Sequence, residues 1–246
     1  MSSIHIAHLA DLHILEENQL NLGVDVRQNF KNILNDIKAD GTINKIVIGG
    51  NLGENDPSEE ILLWIKTQLD QTGIDYRVIP GNHDNSQKLA KVFEIESELE
   101  EGRLFFWDEL DFGKIFYLDT STGSLPMHQL AWVEEECSKS YQKFLLFMHQ
   151  APILGSVHFM DENHTLSNMN QVQKILRNIN NIQGIFCGHF YNERTIRMYN
   201  HMVMITPSAF AQMDDQCETF KISSKTIGWR KIIWDGSSLN TYVKYL

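Results

Sequence analysis

Tyr76-Arg77-Val78-Ile79-Pro80-Gly81-Asn82-His83-Asp84 sets a short apolar run against a tight turn and then three polar side chains. Tyr76–Ile79 is rich in β-branched and aromatic residues and is stopped by Pro80-Gly81, which predicts a strand ending in a turn. The same arrangement recurs outward in both directions. Ile4–Ala10 runs into Asp11-Leu12-His13. Ile46–Ile48 runs through Gly49 into Gly50-Asn51-Leu52-Gly53-Glu54-Asn55. Phe144–Met148 is followed by His149-Gln150-Ala151-Pro152, and Ile182–Cys187 by Gly188-His189-Phe190-Tyr191. Ile115–Leu118 and Met202–Ile205 have the same strand character.

Helical periodicity fills the gaps. Val26, Phe30, Ile33, Leu34 and Ile37 fall at spacings of three and four, predicting a helix over Val26–Ile37. Ser58, followed by Glu59 and Glu60, opens a second helix to Leu69. Leu130–Cys137 and Met169–Asn178 are shorter candidates. Strand–helix alternation implies crossover units and an α/β layered sheet. The tail from Phe220 to Leu246 turns strand-rich and is expected to complete a sheet. No repeat or linker divides the chain, so 1–246 reads as a single domain.

In such sheets functional residues sit in loops past the carboxyl ends of strands. One His there is most simply a hydrogen-bonded rim residue; five clusters carrying His, Asp or Asn at one sheet edge are harder to dismiss. Their donors are oxygens and imidazoles with no thiolate, a set that suits Mn²⁺, Fe or Zn²⁺ at a hydrolytic centre. A metal-activated water attacking phosphorus is the chemistry natural to it. The glycines before Asn51, Asn82 and His189 are expected to let the backbone turn sharply and approach a ligand closely.

Composition narrows the remaining classes. In 246 residues, 21 basic against 32 acidic side chains give a net charge of -11, which argues against general nucleic-acid binding. Apolar content of 42% is that of a globular domain. Three cysteines, Cys137, Cys187 and Cys217, show no C-x-x-C spacing and read as buried hydrophobes in a reducing, cytoplasmic setting. Met1 to His5 lacks the pattern of a secretory leader, and no apolar run approaches 18 residues, so no membrane span is expected. Glu94–Glu101 reads as a solvated acidic helix face, and His158 and His164 lie in a 155–168 loop expected to overhang the strand ends. His5, His128 and His201 read as surface or packing residues.

Asp11-x-His13, Gly50-Asn51, Gly81-Asn82-His83-Asp84, His149 and Gly188-His189 resemble, in order and spacing, the calcineurin-like metallophosphoesterase signature. Leu22-Gly23-Val24-Asp25, Leu118-Asp119-Thr120, Thr206-Pro207-Ser208 and Ile227-Gly228-Trp229-Arg230 resemble the class III 3′,5′-cyclic-nucleotide phosphodiesterases of bacteria, so the likeness covers essentially the whole chain. It implies a four-layer α/β/β/α sandwich, two facing mixed sheets with outer helices. It implies hydrolysis of 3′,5′-cyclic nucleotides, cAMP above all, to nucleoside 5′-monophosphates. One or two divalent cations (Mn²⁺, Fe²⁺/Fe³⁺ or Zn²⁺) are implied: one held by Asp11 and His13, the other by Asn82, His149 and His189, with position 51 bridging. His83 would be the catalytic proton or hydrogen-bond donor, with His13, Asn51 and Asn82 beside it on the substrate and Asp84 orienting the loop. The partner is a small phosphodiester; a homodimer is left open.

Two positions depart from that signature. Asn51 stands where the family bridges with Asp, and Tyr191 where it places the second His of Gly-His-x-His. A carboxamide brings no negative charge, and Tyr191 ligates only as a phenolate. The Asp11–His13 side takes both losses. Besides the cyclic-nucleotide reading, a general phosphodiesterase or phosphomonoesterase and a degenerate nucleotide- or protein-binding module therefore stand open.

Overall fold

A computed structural model describes residues 3–246; Met1 and Ser2, part of the stretch read for a leader, lie outside the described residues. The chain begins with β1 (Ile4–Leu9), α1 (Val26–Asp40), β2 (Lys45–Ile48), α2 (Glu59–Asp70), β3 (Asp75–Val78) and α3 (Ser86–Phe93). The short pair β4 (Leu99–Glu100) and β5 (Arg103–Leu104) leads to β6 (Phe106–Leu110), β7 (Gly113–Leu118), α4 (Met127–Ser138) and β8 (Lys143–Met148). Then come α5 (His158–Asn163), α6 (Met169–Leu176), β9 (Ile182–Cys187), β10 (Arg194–Met198) and β11 (His201–Ile205). A second short pair, β12 (Gln212–Met213) and β13 (Ile222–Ser224), precedes β14 (Gly228–Trp234) and β15 (Leu239–Tyr245).

Two mixed sheets result. The first has the order β15-β14-β1-β2-β3, with β1, β2 and β3 parallel and β14 antiparallel to β1. The second has the order β10-β11-β9-β8-β7-β6, with β7, β8, β9 and β11 parallel. They face each other: the His8 ring of β1 meets Phe147 of β8 at 5.1 Å between centroids, and Trp234 of β14 donates its indole N–H to Gln183 of β9 at 2.8 Å. Helices cover the outer faces. Trp229 Nε1 of β14 donates to Asp36 of α1, and Phe116 of β7 lies edge-on to Trp132 of α4. This is the four-layer α/β/β/α sandwich that the sequence implied. The parallel strands of both sheets bring the loops after β1, β2, β3, β8 and β9 to one edge.

Local chemistry sets the helix starts. Asp25 accepts from Gln28 N at 2.9 Å and caps α1, while Ser58 caps α2 through Ile61 N at 3.2 Å. α3 was not among the predicted helices; its signal is Asn85, which accepts from Lys88 N at 3.0 Å. β6 and β10, both edge strands, carry a weak alternation and were also missed. Glu94–Glu101 is no helix face: Glu94 ends α3 in the left-handed region, Glu96–Glu98 form one 3-10 turn, and Leu99–Glu100 pair with Arg103–Leu104. Within 155–168, expected as a loop, His158–Asn163 is a helix whose start is held by Asp161, which accepts from Gly155 N and Val157 N. Cys137 and Cys187 are buried, but Cys217 is only half-buried.

Candidate active site

Every residue singled out at a strand end comes to this edge. Asp11, His13, Asn51, His149 and His189 are buried, and Tyr191 is 7% exposed. Asn51, Asn82, His83, His189 and Tyr191 line a cavity of about 380 Å³, together with Asn21, Glu54 and an apolar wall. Asp11, His13, Asn51, His189 and Tyr191 all adopt positive φ, between 48° and 70°. This is a left-handed conformation that non-glycine residues hold at some cost and that clusters at functional sites. The loops are laced together to hold it: Asp11 N donates to Gly50 O, His13 N to Asn51 O, and Ser208 Oγ to Asp11 O, each at 3.0 Å.

The glycines serve mainly as close-approach points. Only Gly50, at φ 100°, needs the left-handed region, and a Cβ there would lie 2.5 Å from His149 Nδ1. A Cβ on Gly81 would lie 2.2 Å from Asn51 Oδ1, and one on Gly188 would lie 2.4 Å from Ala10 Cβ. Of the sharp turns expected at three glycines, one is found; beside Gly188 it is His189 that takes the unusual conformation instead.

Hydrogen bonds fix the state of each imidazole. His149 Nδ1–H donates to Gly49 O at 2.6 Å. Burial, with His189 nearby, pushes its pKa well below the ordinary value, so the ring is neutral and Nε2 carries a lone pair. That lone pair faces Asn82 Oδ1 at 3.2 Å and Asp11 Oδ1 at 3.7 Å. His189 Nε2–H donates to His164 O at 2.7 Å, and burial lowers its pKa to about 4, leaving Nδ1 as its free acceptor. Burial raises Asp11 to about 6, against the lowering effects of His13, the His189 N–H and Asn51. His149 Nε2 thus meets two oxygens with no proton between it and them, an arrangement that a cation relieves. Asn82 and His149, beside Asp11, could hold a cation, and the His189 ring stands next to His149 at 5.1 Å between centroids.

The other half does not offer free donors. Tyr191 O–H donates to His13 Nε2 at 2.9 Å, and His13 Nδ1–H donates to Glu54 Oε2 at 2.8 Å, so both ring nitrogens are engaged. Burial, with Asp11 and Glu54 nearby, pushes the Tyr191 phenol well above its ordinary pKa, so it stands as a hydrogen-bond donor and not as a phenolate. Asn51 is engaged at both ends as well: its Nδ2 donates to Asp11 Oδ1 at 3.0 Å, and its Oδ1 accepts from His83 N at 3.1 Å. The donor atoms of His13, Glu54 and His83 lie within 4.8 Å of one another. The sequence pattern gives Glu54 no role; its signal is a carboxylate three residues after Asn51.

His83 is partly exposed to the cavity. Asn55 N donates to its Nδ1 at 3.3 Å, which places the ring proton on Nε2. Burial and the nearby His13 lower its pKa, opposed by Glu54. Asp84 orients the turn by accepting from Gly81 N at 2.8 Å and Leu52 N at 3.1 Å.

Residues 4–192 match the calcineurin-like phosphoesterase family. A probable cyclic nucleotide phosphodiesterase of Fibrobacter succinogenes is 32% identical over 242 residues, which cover 98% of this chain and 94% of the relative. The 3′,5′-cyclic adenosine monophosphate phosphodiesterase CpdA of Haemophilus influenzae is 23% identical, over 98% of this chain and 89% of its own. A dimetal phosphatase from Danio rerio shares the fold, with a TM-score of 0.71 at 11% identity over 97% of this chain and 98% of its own. Among the described residues no helix is long and apolar enough to cross a membrane. Sandwich, strand-end loops and converging donors are those of one family, and this chain belongs to the calcineurin-like phosphoesterases.

Proposed function

We propose that the protein is a metal-dependent phosphodiesterase that opens 3′,5′-cyclic nucleotides, cAMP first among them, to nucleoside 5′-monophosphates. In this reading 1–246 acts as one unit around a single cation of Mn²⁺, Fe²⁺/Fe³⁺ or Zn²⁺. The observation that carries it is that the unprotonated His149 Nε2 meets two oxygens, Asn82 Oδ1 at 3.2 Å and Asp11 Oδ1 at 3.7 Å. The names of the two relatives support the substrate class.

When bound at Asn82, His149 and His189, the cation supplies positive charge and Lewis acidity next to the ester. The chain's own residues do the rest. Asn51 and Asn82 set the phosphate against the cavity floor. His83, held by Asn55 N and by its own backbone bond to Asn51, offers Nε2–H to an ester oxygen. The anionic ester and Glu54, 3.5 Å from its ring, favour the imidazolium that can protonate the leaving 3′ oxygen. Tyr191 and Glu54 hold the His13 ring from both sides, so His13 shapes the wall next to His83, their ring centroids 5.1 Å apart.

The closed Tyr191–His13–Glu54 chain favours a second reading, a binding module without turnover. A panel of 3′,5′-cyclic nucleotides, 2′,3′-cyclic nucleotides, a glycerol diester and phosphate monoesters, under one set of metal conditions, tests both. Preferential turnover of the 3′,5′-cyclic nucleotides is expected. Preference for another ester overturns the substrate assignment, and no turnover of any ester with any of the metals leaves the binding module.

A further inference from the structure

Most of the catalytic cavity is not accounted for by a phosphate. Its lining is polar at Asn51, Asn82, His83 and His189, but it also includes Leu22, Phe159, Phe210 and Phe220. Phe220 is 37% exposed and Leu22 is 62% exposed. Phe159 comes from α5 and Phe220 from the segment between β12 and β13. Their rings meet edge to face at 6.2 Å, and Phe220 lies edge-on to Tyr191 at 5.6 Å.

The two segments are fastened to each other. His158 N donates to Asp215 O at 2.9 Å, and Arg194 binds Asp215 Oδ2 at 2.8 Å while donating to Gly155 O at 3.2 Å and Ser156 O at 3.3 Å. The aromatic wall is therefore built in place before any ligand arrives. Large apolar rings held open to water beside a polar, anion-seeking floor match a ligand that is a phosphate at one end and a flat ring at the other.

We propose that Phe159 and Phe220 form the platform for the heterocyclic base of the substrate, one ring stacking on its face and the other, perpendicular, against its edge, and so are the residues that select a nucleotide over other phosphate esters. This rests on the phosphodiesterase reading for the position of the phosphate, and adds what the rest of the ligand must be. Neither ring carries a polar atom, so the platform recognises a π-face and reads no hydrogen-bonding edge. Adenine and guanine are therefore accepted within a few-fold of each other, and the smaller pyrimidines less well.

The test is calorimetric binding of 5′-AMP and of ribose 5-phosphate to the Mn²⁺-loaded full chain. Both ligands carry the same anion, and only one carries a base. Stacking of one base on aromatic side chains corresponds to about ten-fold to a hundred-fold in affinity. The parent is expected to bind 5′-AMP tighter than ribose 5-phosphate by that ratio. Phe220→Ala and Phe159→Ala should each reduce the ratio several-fold by weakening 5′-AMP alone, while Phe220→Trp restores it. If Phe159→Ala does not fold, Phe159→Leu keeps the helix packed and removes the ring.

Equal binding of the two ligands by the parent, or an unchanged ratio in both variants, overturns the platform. Absence of cAMP turnover in a parent that still shows the ratio and its loss would overturn the phosphodiesterase reading and leave the base site standing.

Discussion

Asn51→Asp places two carboxylates where an amide now meets one. Asn51 Nδ2 donates to Asp11 Oδ1 at 3.0 Å, and both side chains are buried. Asp11 is already pushed up to about 6 before a second charge arrives. Two unit charges at that separation repel by about 5 kcal/mol at an effective dielectric of 20. The lost amide hydrogen bond removes about 1 kcal/mol more, and a shared proton relieves part of the total. Metal-stripped Asn51→Asp is therefore expected to be roughly 3–5 kcal/mol less stable than the parent at pH 8, a fall in Tm on the order of 10 °C. A carboxyl with a raised folded pKa adds stability below its ordinary value and loses it as pH rises through the folded one. The deficit should thus be small at pH 5 and full above about pH 7. Mn²⁺ should reverse it, raising the Tm of the variant more than that of the parent. Thermal unfolding of chelator-treated protein at pH 5 and pH 8, with and without Mn²⁺, reads all of this. Equal stability of the two metal-stripped proteins at pH 8 would refute the facing of Asn51 and Asp11.

Other outcomes follow from the same geometry. His83→Ala should leave metal content nearly unchanged and lower kcat by roughly 10²–10⁴, the range for a positioned acid or base; steady-state kinetics with metal analysis checks it. His149→Ala should lose metal and activity together. Asn51→Asp combined with Tyr191→His should raise the metal bound per chain from one toward two, measured by elemental analysis after dialysis. Metal-stripped parent should lose stability as pH falls from about 6 to 4. Over that range His8, His83, His149 and His189, whose folded pKa values lie below the ordinary 6.5, take up protons more readily in the unfolded chain, whereas Asp11 and Asp84, each raised to about 6, take them up more readily in the folded one. Four such histidines against two carboxyls leave a net uptake of protons on unfolding, so stability falls as pH falls. Urea unfolding across that range gives the slope, and a slope of opposite sign would refute these assignments.

The fold was legible because the chemistry sits where strands end. Five apolar runs each terminate in Gly, Pro, Asp or His, and parallel pairing then carries all five loops to one edge. Elements whose signals are non-periodic were not legible. α3 is marked by one capping residue, Asn85, and β6 and β10 are edge strands of weak alternation, each paired only with the strand that follows it. The acidic run at Glu94–Glu101 looks helical by composition, yet Glu94 takes a left-handed conformation that ends the helix. Within the site, residue types and spacing pointed to Asp11, His13, Asn82, His149 and His189. They could not reveal that Glu54 and Tyr191 take both nitrogens of His13. That depends on side chains 41 and 178 residues away meeting one ring. The aromatic wall was equally hidden, since one backbone bond and the Arg194 side chain fasten α5, with Phe159, to the segment that carries Phe220.

Titration of cAMP turnover in the metal-stripped protein with Mn²⁺ tests the central claim most directly. A single-cation phosphodiesterase should gain activity in proportion to added Mn²⁺ up to one equivalent per chain and then hold level. Activity that appears only on filling a second equivalent, or no turnover at any Mn²⁺ concentration, would contradict the account.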